Sequence, residues 1–139
     1  MNAYFDTSAF IKLVVLEPGS TTVAAAWNGA NLLVSGRLMY AEARAGLAAA
    51  GRQRRVAARD IPQAKRDLER LWRDLDVWES VKPIVQQAGD LAEQHRLRGY
   101  DAVHLATAVA AGVDVLVTAD IDLLRAASIC GLSIVDARS

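Results

Sequence analysis

Four acidic residues, Asp6, Glu42, Asp101 and Asp120, stand where a chain of alternating strands and helices would carry them to one edge of a sheet. Asp6 closes a short apolar run, and Asp120 follows Val117-Thr118-Ala119. Asp101 follows Gly99-Tyr100, and Glu42 lies inside an Ala-rich stretch. Carboxylates brought within a few ångströms repel one another, and some would take up protons unless a cation compensates. Carboxylate oxygens with few nitrogen or sulfur donors select Mg²⁺ or Mn²⁺ over zinc or copper. Two such ions ~3.5–4 Å apart can activate water and stabilise the leaving oxygen of a phosphodiester. Each acid also has an ordinary explanation. Asp6, Asp101 and Asp120 could be helix N-caps, worth ~1 kcal/mol each, and Glu42 a solvated helix residue. A residue can cap and ligate at once.

The elements that must position these acids follow from apolar patterning. Residues 2–6 are expected to form a buried strand. A helical stretch then opens at Thr7-Ser8 and breaks at Pro18-Gly19, and a second short helix covers 20–28. Leu32-Leu33-Val34 is a second strand, followed by a helix over 37–50 with Gly51 as its stop. Asp60 is expected to begin another helix, with Pro62 in its first turn and Leu68, Leu71, Trp72 and Leu75 as its apolar stripe. Val77-Trp78 is a short strand. A helix from Lys82 to Arg98 is expected to end at Gly99, and Asp101 to cap the next, which stops at Gly112. Residues 114–118 form a strand, Asp120 caps a last helix, and 132–135 form the final strand. The strands are short apolar runs without polar alternation. They predict one α/β domain over 1–139, with four to five parallel strands between two helical layers. Such sheets bind ligands at the carboxyl ends of their strands.

Hydrophobic residues make up 53% of the 139 and charged residues 23%, so a sizeable core is expected and wholesale disorder is not. Cys130 is the sole cysteine, which excludes an intramolecular disulfide and a cysteine zinc site. A cytosolic setting suits it. The N-terminus reaches an acid within six residues and does not read as a signal peptide, and no apolar run of ~18 residues predicts a membrane span. Net charge is zero, but residues 37–73 hold ten of the sixteen Lys+Arg and four acids, +6 against −6 elsewhere. That asymmetry suits a polyanionic partner, or a pair of solvated helix faces. Arg52, Arg54 and Arg55 are the candidate phosphate contacts.

The motifs around the acids resemble those of VapC-type PIN-domain ribonuclease toxins. Tyr4-Phe5-Asp6-Thr7-Ser8-Ala9 with Ile11-Lys12-Leu13 is similar to the family's opening, and Tyr40-Ala41-Glu42-Ala43-Arg44 to its second acidic motif. Asp101-Ala102-Val103-His104-Leu105-Ala106-Thr107-Ala108 resembles the third motif and Val117-Thr118-Ala119-Asp120 the fourth. Residues 51–80 carry no recognised motif. The resemblance implies a PIN-like three-layer α/β/α fold and an Mg²⁺- or Mn²⁺-dependent endoribonuclease, toxin of a toxin–antitoxin pair. By that likeness Asp6, Glu42, Asp101 and Asp120 hold the metal, and water attack leaves 5′-phosphate and 3′-hydroxyl ends. The likeness also implies an RNA substrate, a cognate antitoxin and a homodimer. Thr7, Ser8 and Thr118 could orient the carboxylates through their hydroxyls.

Several residues call for ordinary explanations. Asp122 should point away from Asp120 on the helix and serve the surface. His104, one turn past Asp101, could face the cleft but is expected to be a packed or singly hydrogen-bonded histidine, and His95 a surface residue. Trp27, Trp72 and Trp78 are expected as core or interface anchors, with Trp72 flanked by Arg70 and Arg73. The rival to a nuclease is a catalytically inactive PIN-like module that grips RNA or protein, and the presence of all four acids argues against it. Phosphate enzymes on similar sheets fit less well. Ser8 stands where an aspartyl-phosphatase needs its second acid, and neither GxGxxG nor GxxxxGK[ST] occurs.

Overall fold

Ala3, Tyr4 and Phe5 are nearly inaccessible, as are Val115, Leu116 and Val117, because each run is a strand covered on both faces. The computed structural model describes residues 1–139 and contains five strands, all parallel. They are β1 (Asn2–Phe5), β2 (Leu32–Gly36), β3 (Asp76–Trp78), β4 (Val115–Thr118) and β5 (Ser133–Asp136). Seven helices connect them: α1 (Thr7–Phe10), α2 (Ser20–Gly29), α3 (Met39–Arg52), α4 (Ile61–Trp72), α5 (Lys82–His95), α6 (Gly99–Ala110) and α7 (Ile121–Ile129). Short 3₁₀ turns occupy Ile11–Leu13 and Ala58–Asp60. No helix is long and apolar enough to cross a membrane.

The strand order is β3-β2-β1-β4-β5. The chain winds outward from β1 through β2 to β3, then returns to place β4 against the free side of β1. That reversal makes the β1/β4 boundary the topological switch point, where sheets of this kind open a crevice at their carboxyl edge. The side-chain alternation of the central strands divides the core. Ala3, Phe5, Val115 and Val117 join Phe10, Val23, Trp27, Leu47 and Leu68 on one face. Tyr4, Val34 and Leu116 join Ile84, Leu91, Leu105 and Leu123 on the other. Helices α1–α4 thus cover one face and α5–α7 the other, which is the expected three-layer α/β/α arrangement. Trp27 packs edge-on to Phe5 with ring centroids 5.0 Å apart, so it is a core anchor.

Several boundaries differ from the expectation. Helix α3 runs through Gly51, which packs against Ile61; the left-handed residue beyond it is Arg54, at φ 59°. Helix α5 ends at His95, where Arg96 turns left-handed at φ 56°. Gly99 therefore opens α6 and does not terminate α5, and Asp101 lies inside the first turn of α6, not at its cap. His95 is buried, against the expectation of a surface residue, because α7 leans on it: Arg125 Nη2 donates to its carbonyl at 3.1 Å. Gly19, at φ 94°, approaches the C-terminal segment so closely that a Cβ would lie 1.9 Å from the Ala137 carbonyl oxygen. Only glycine fits that turn.

Candidate active site

The carboxyl ends of β1 and β4 lie side by side, with Phe5 in register with Val117. Asp6 therefore emerges beside Thr118. Its Oδ1 caps α1 by accepting from the Ala9 N–H at 3.0 Å, and also accepts from the Ser8 hydroxyl at 2.8 Å. Its Oδ2 accepts from Thr118 Oγ1 at 2.5 Å. Asp120 caps α7 through the backbone N–H groups of Asp122 and Leu123, at 2.9 and 3.0 Å. Its own N–H donates to Thr118 Oγ1 at 3.0 Å, so one hydroxyl links the first and fourth acids. Ser8 reaches across as well, accepting from the Ala119 N–H at 2.9 Å.

Glu42, in the first turn of α3, accepts on Oε1 from Thr7 Oγ1 at 2.9 Å, which ties it to the residue next to Asp6. Asp101, in the first turn of α6, is joined to Asp120 through Arg98. The Arg98 Nε donates to Asp101 Oδ2 at 3.2 Å and its Nη2 to Asp120 Oδ2 at 3.3 Å. All four acids thus sit at one edge of the sheet, each at a helix N-terminus, where the partial positive end of the helix favours negative charge. Thr7 thus donates to Glu42, and Ser8 and Thr118 donate to Asp6. No three His, Cys, Asp or Glu side chains close tightly around one point: the acids are spaced by the hydroxyl and guanidinium bridges.

The electrostatics are those of a site short of positive charge. Burial pushes Asp6 above the usual carboxylate range, against the His104 ring, the Thr118 and Ser8 hydroxyls and the Ala9 amide. Burial and the charge of Asp120 raise Asp101, against Arg98 and His104. Burial would raise Glu42 as well, but the hydrogen bond and charge of His104, with the Thr7 hydroxyl, hold it below its ordinary value. The only nearby cation of fixed charge, Arg98, has a side chain 84% exposed, so water weakens its pull on Asp101 and Asp120. An all-oxygen donor set with surplus negative charge fits a hard divalent ion.

Tyr4 and Arg98 carry no expectation from the sequence as members of this network, and His104 is more deeply engaged than expected. His104 was expected to make one hydrogen bond at most. It is buried and uses both ring nitrogens, Nε2 with Glu42 Oε1 at 3.0 Å and Nδ1 with the Tyr4 hydroxyl at 2.7 Å. Burial would lower its pKa, but the hydrogen bond to Glu42 and the charges of Asp6, Glu42 and Asp101 carry it above the usual imidazole value. Tyr4 is fully buried, and burial pushes its phenol far above the ordinary range, so it stays protonated. The i,i+3 spacing of Arg98, Asp101 and His104 was the available signal, since such residues share a helix face. Asp122 pairs with Arg125 at 2.9 Å on the surface, as expected.

Arg52, Arg54 and Arg55 lie at the far end of α3 from Glu42, roughly 15 Å away along the helix axis. Arg55 is engaged by Glu17 at 3.0 Å and by Gln53. Trp72 packs edge-on to Tyr40, whose hydroxyl bonds Glu69, with Arg44 over the Tyr40 ring. That cluster ties the end of α4 to the start of α3.

Among known proteins, the chain matches the family described as PIN domain over residues 3–129. It is 46% identical over 116 residues to Ribonuclease VapC45 of Mycobacterium tuberculosis (strain CDC 1551 / Oshkosh), covering 84% of this chain and 81% of that protein. A crystal structure of a protein from Pyrobaculum aerophilum superposes with a TM-score of 0.73 at 25% identity, covering 96% of this chain and 83% of that one. The structure titled as a toxin-antitoxin complex from Klebsiella pneumoniae gives a TM-score of 0.68 at 19% identity, covering 98% of each chain.

Proposed function

Because this chain belongs to the PIN domain family, as a relative of the VapC ribonucleases, we propose that it is the endoribonuclease toxin of a toxin–antitoxin pair, with Asp6, Glu42, Asp101 and Asp120 as holders of Mg²⁺ or Mn²⁺. The observation that supports this most is the shared edge: four acids from four separate segments, linked through Thr118, Thr7 and Arg98 at the switch point of the sheet. Bound divalent ions would supply the Lewis acidity that activates a water and offsets charge on the phosphodiester. The chain's own groups then do the positioning. Thr118 and Ser8 fix the oxygens of Asp6, and Thr7 and His104 fix Glu42. Attack on phosphorus leaves 5′-phosphate and 3′-hydroxyl ends.

The whole chain, 1–139, acts in this reading as one PIN domain in the cytoplasm. Its partners are an RNA, a cognate antitoxin that blocks the acidic site, and a second copy of the chain. Light scattering on the purified protein tests the dimer. Arg52, Arg54 and Arg55 remain the proposed backbone contacts, a few nucleotides away from the cleaved bond.

The deciding experiment is cleavage of end-labelled single-stranded RNA with Mg²⁺, with Mn²⁺ and in EDTA, with Asp101→Asn as control. Cleavage should require the ion and disappear in the variant. Wild-type cleavage that persists in EDTA overturns the metal role, and wild type that binds RNA without cutting it in either ion points to the inactive binding module.

A further inference from the structure

Glu42 differs from the other three acids in how it is held. Asp6 and Asp120 are anchored by backbone N–H groups as helix caps, and Asp101 faces an arginine. Glu42 has neither, and its longer side chain, 29% exposed, has three rotatable bonds to fix. What fixes it comes from the other side of the sheet. Tyr4 points from β1 into the layer under α6, and its hydroxyl meets His104 Nδ1 at 2.7 Å. The ring stands edge-on to Tyr4, with centroids 5.7 Å apart at 72°, and its Nε2 meets Glu42 Oε1 at 3.0 Å. A carboxylate only accepts, so Nε2 carries the proton in either charge state of the ring. With both nitrogens engaged and the ring buried, it has no freedom to turn away.

The direction of the contacts has a chemical consequence. His104 and Thr7 both end on Oε1 of Glu42. One oxygen is thereby committed to the protein, and Oε2 takes part in no hydrogen bond within it. We infer that Tyr4 and His104 form a buried positioning arm that aims the Glu42 carboxylate, presenting Oε2 to the ion of the acidic site. The inference rests on the metal-dependent reading above. His104 acts through Glu42 and touches neither RNA nor ion. A histidine that merely satisfied its own buried nitrogens would sit equally well without Glu42, so the distinction is measurable.

The test uses the whole chain without RNA. In EDTA, nitrogen-15 NMR should reveal an exchange-protected Nε2 proton on His104 that loses protection in Glu42→Ala. Absence of that proton in the wild type overturns the arm. Calorimetric titration with Mn²⁺ then measures its effect. His104→Leu should weaken binding about 10- to 100-fold, the usual range for losing a group that orients a ligand. His104→Gln, which keeps a side-chain N–H, should recover most of that loss, and Tyr4→Phe should give a smaller loss in the same direction. In a Glu42→Gln background, His104→Leu should cost nothing further. Equal affinity in His104→Leu and wild type overturns the proposal, as does an equal loss with and without the Glu42 carboxylate. If His104→Leu fails to fold, His104→Gln and Tyr4→Phe decide the matter. A wild type that shows the protected proton yet binds no Mn²⁺ refutes the metal reading and leaves the Tyr4–His104–Glu42 contact standing.

Discussion

Asp6→Asn should reverse the stability ranking of mutant and wild type when divalent metal is added. The replacement is nearly isosteric, and its amide oxygen can still cap α1 at the Ala9 N–H and accept from Ser8. Its NH₂ group meets Thr118 Oγ1, which has a lone pair left after accepting from the Asp120 N–H. What the mutant lacks is a buried negative charge whose pKa is raised. A carboxyl raised in the folded state binds its proton more tightly there than in the unfolded chain. The titrations of Asp6 and Asp101 therefore take stability from the metal-free wild type as pH climbs from the unfolded carboxylate range through their raised values, while Glu42, held low, works in the opposite direction. At neutral pH in EDTA, Asp6→Asn should melt at or above wild type and show a weaker decline over that acid window. Metal acts oppositely. A ligand at 100 times its Kd stabilises by about 2.7 kcal/mol. For 139 residues an unfolding entropy of about 2.1 cal/mol/K per residue makes that a rise of roughly 9 °C in Tm. Wild type should gain it in saturating Mn²⁺ and Asp6→Asn little of it. Calorimetric melts across pH, with and without Mn²⁺, read both effects. Equal Mn²⁺ shifts in the two proteins, or a mutant far below wild type in EDTA, would refute the reasoning.

Other perturbations probe neighbouring contacts. Gly36→Ala sets a methyl 3.2 Å from the Tyr4 hydroxyl, tighter than an ordinary contact. It should weaken Mn²⁺ binding in the direction of Tyr4→Phe, and unchanged affinity would mean that the hydroxyl position does not govern Glu42. Arg98→Ala removes a cation shared by Asp101 and Asp120, so calorimetry should find Mn²⁺ bound more tightly, most visibly at low ionic strength; weaker binding would show that Arg98 organises the acids and does not compete with the ion. The double change Arg54→Ala with Arg55→Ala should lower the slope of log K against log salt for uncleaved RNA by about 0.7 per lost phosphate contact. Because Glu17 already engages Arg55, a fall nearer one contact than two is expected, and an unaltered slope would take these arginines out of the interface.

The parts of the site that were legible in the sequence are those set by local rules. Apolar runs ended at Asp6 and shortly before Asp120 because a strand must stop before the following helix starts, and both acids cap as their positions predicted. The sheet edge followed from the parallel pattern. What local rules could not supply was contact between distant segments: Tyr4 and His104 are a hundred residues apart in the chain, and Arg98 reaches Asp120 across twenty-two. His104 looked like core filling because helix spacing reveals a shared face and not what lies opposite it. The boundary at Gly99 was misplaced for a different reason. Glycine is the usual left-handed residue after a helix, but here Arg96 adopts that conformation, leaving Gly99 free to begin α6. His95 became buried through the packing of α7, an element thirty residues later.

The charge asymmetry of residues 37–73 also changes meaning in three dimensions. Of its ten cations, Arg37, Arg44, Arg55 and Arg70 form ion pairs with Glu79, Glu69, Glu17 and Asp67. Arg52, Arg54, Arg59, Lys65, Arg66 and Arg73 form none and are exposed. The first of these follow the end of α3 remote from Glu42. Helix α4 then runs back: Gly51 packs by Ile61, whereas Tyr40 meets Glu69 and Trp72. The unpaired cations of α4, Lys65 and Arg66, lie near its middle, and unpaired Arg73 caps the end beside the first turn of α3, where Glu42 stands. A phosphate backbone drawn to this surface would be led toward the acids that repel it, and only their neutralisation by a divalent ion would let it settle there. On the proposed reading, RNA binding at the acids would then depend on metal, whereas attachment along α4 would depend on salt.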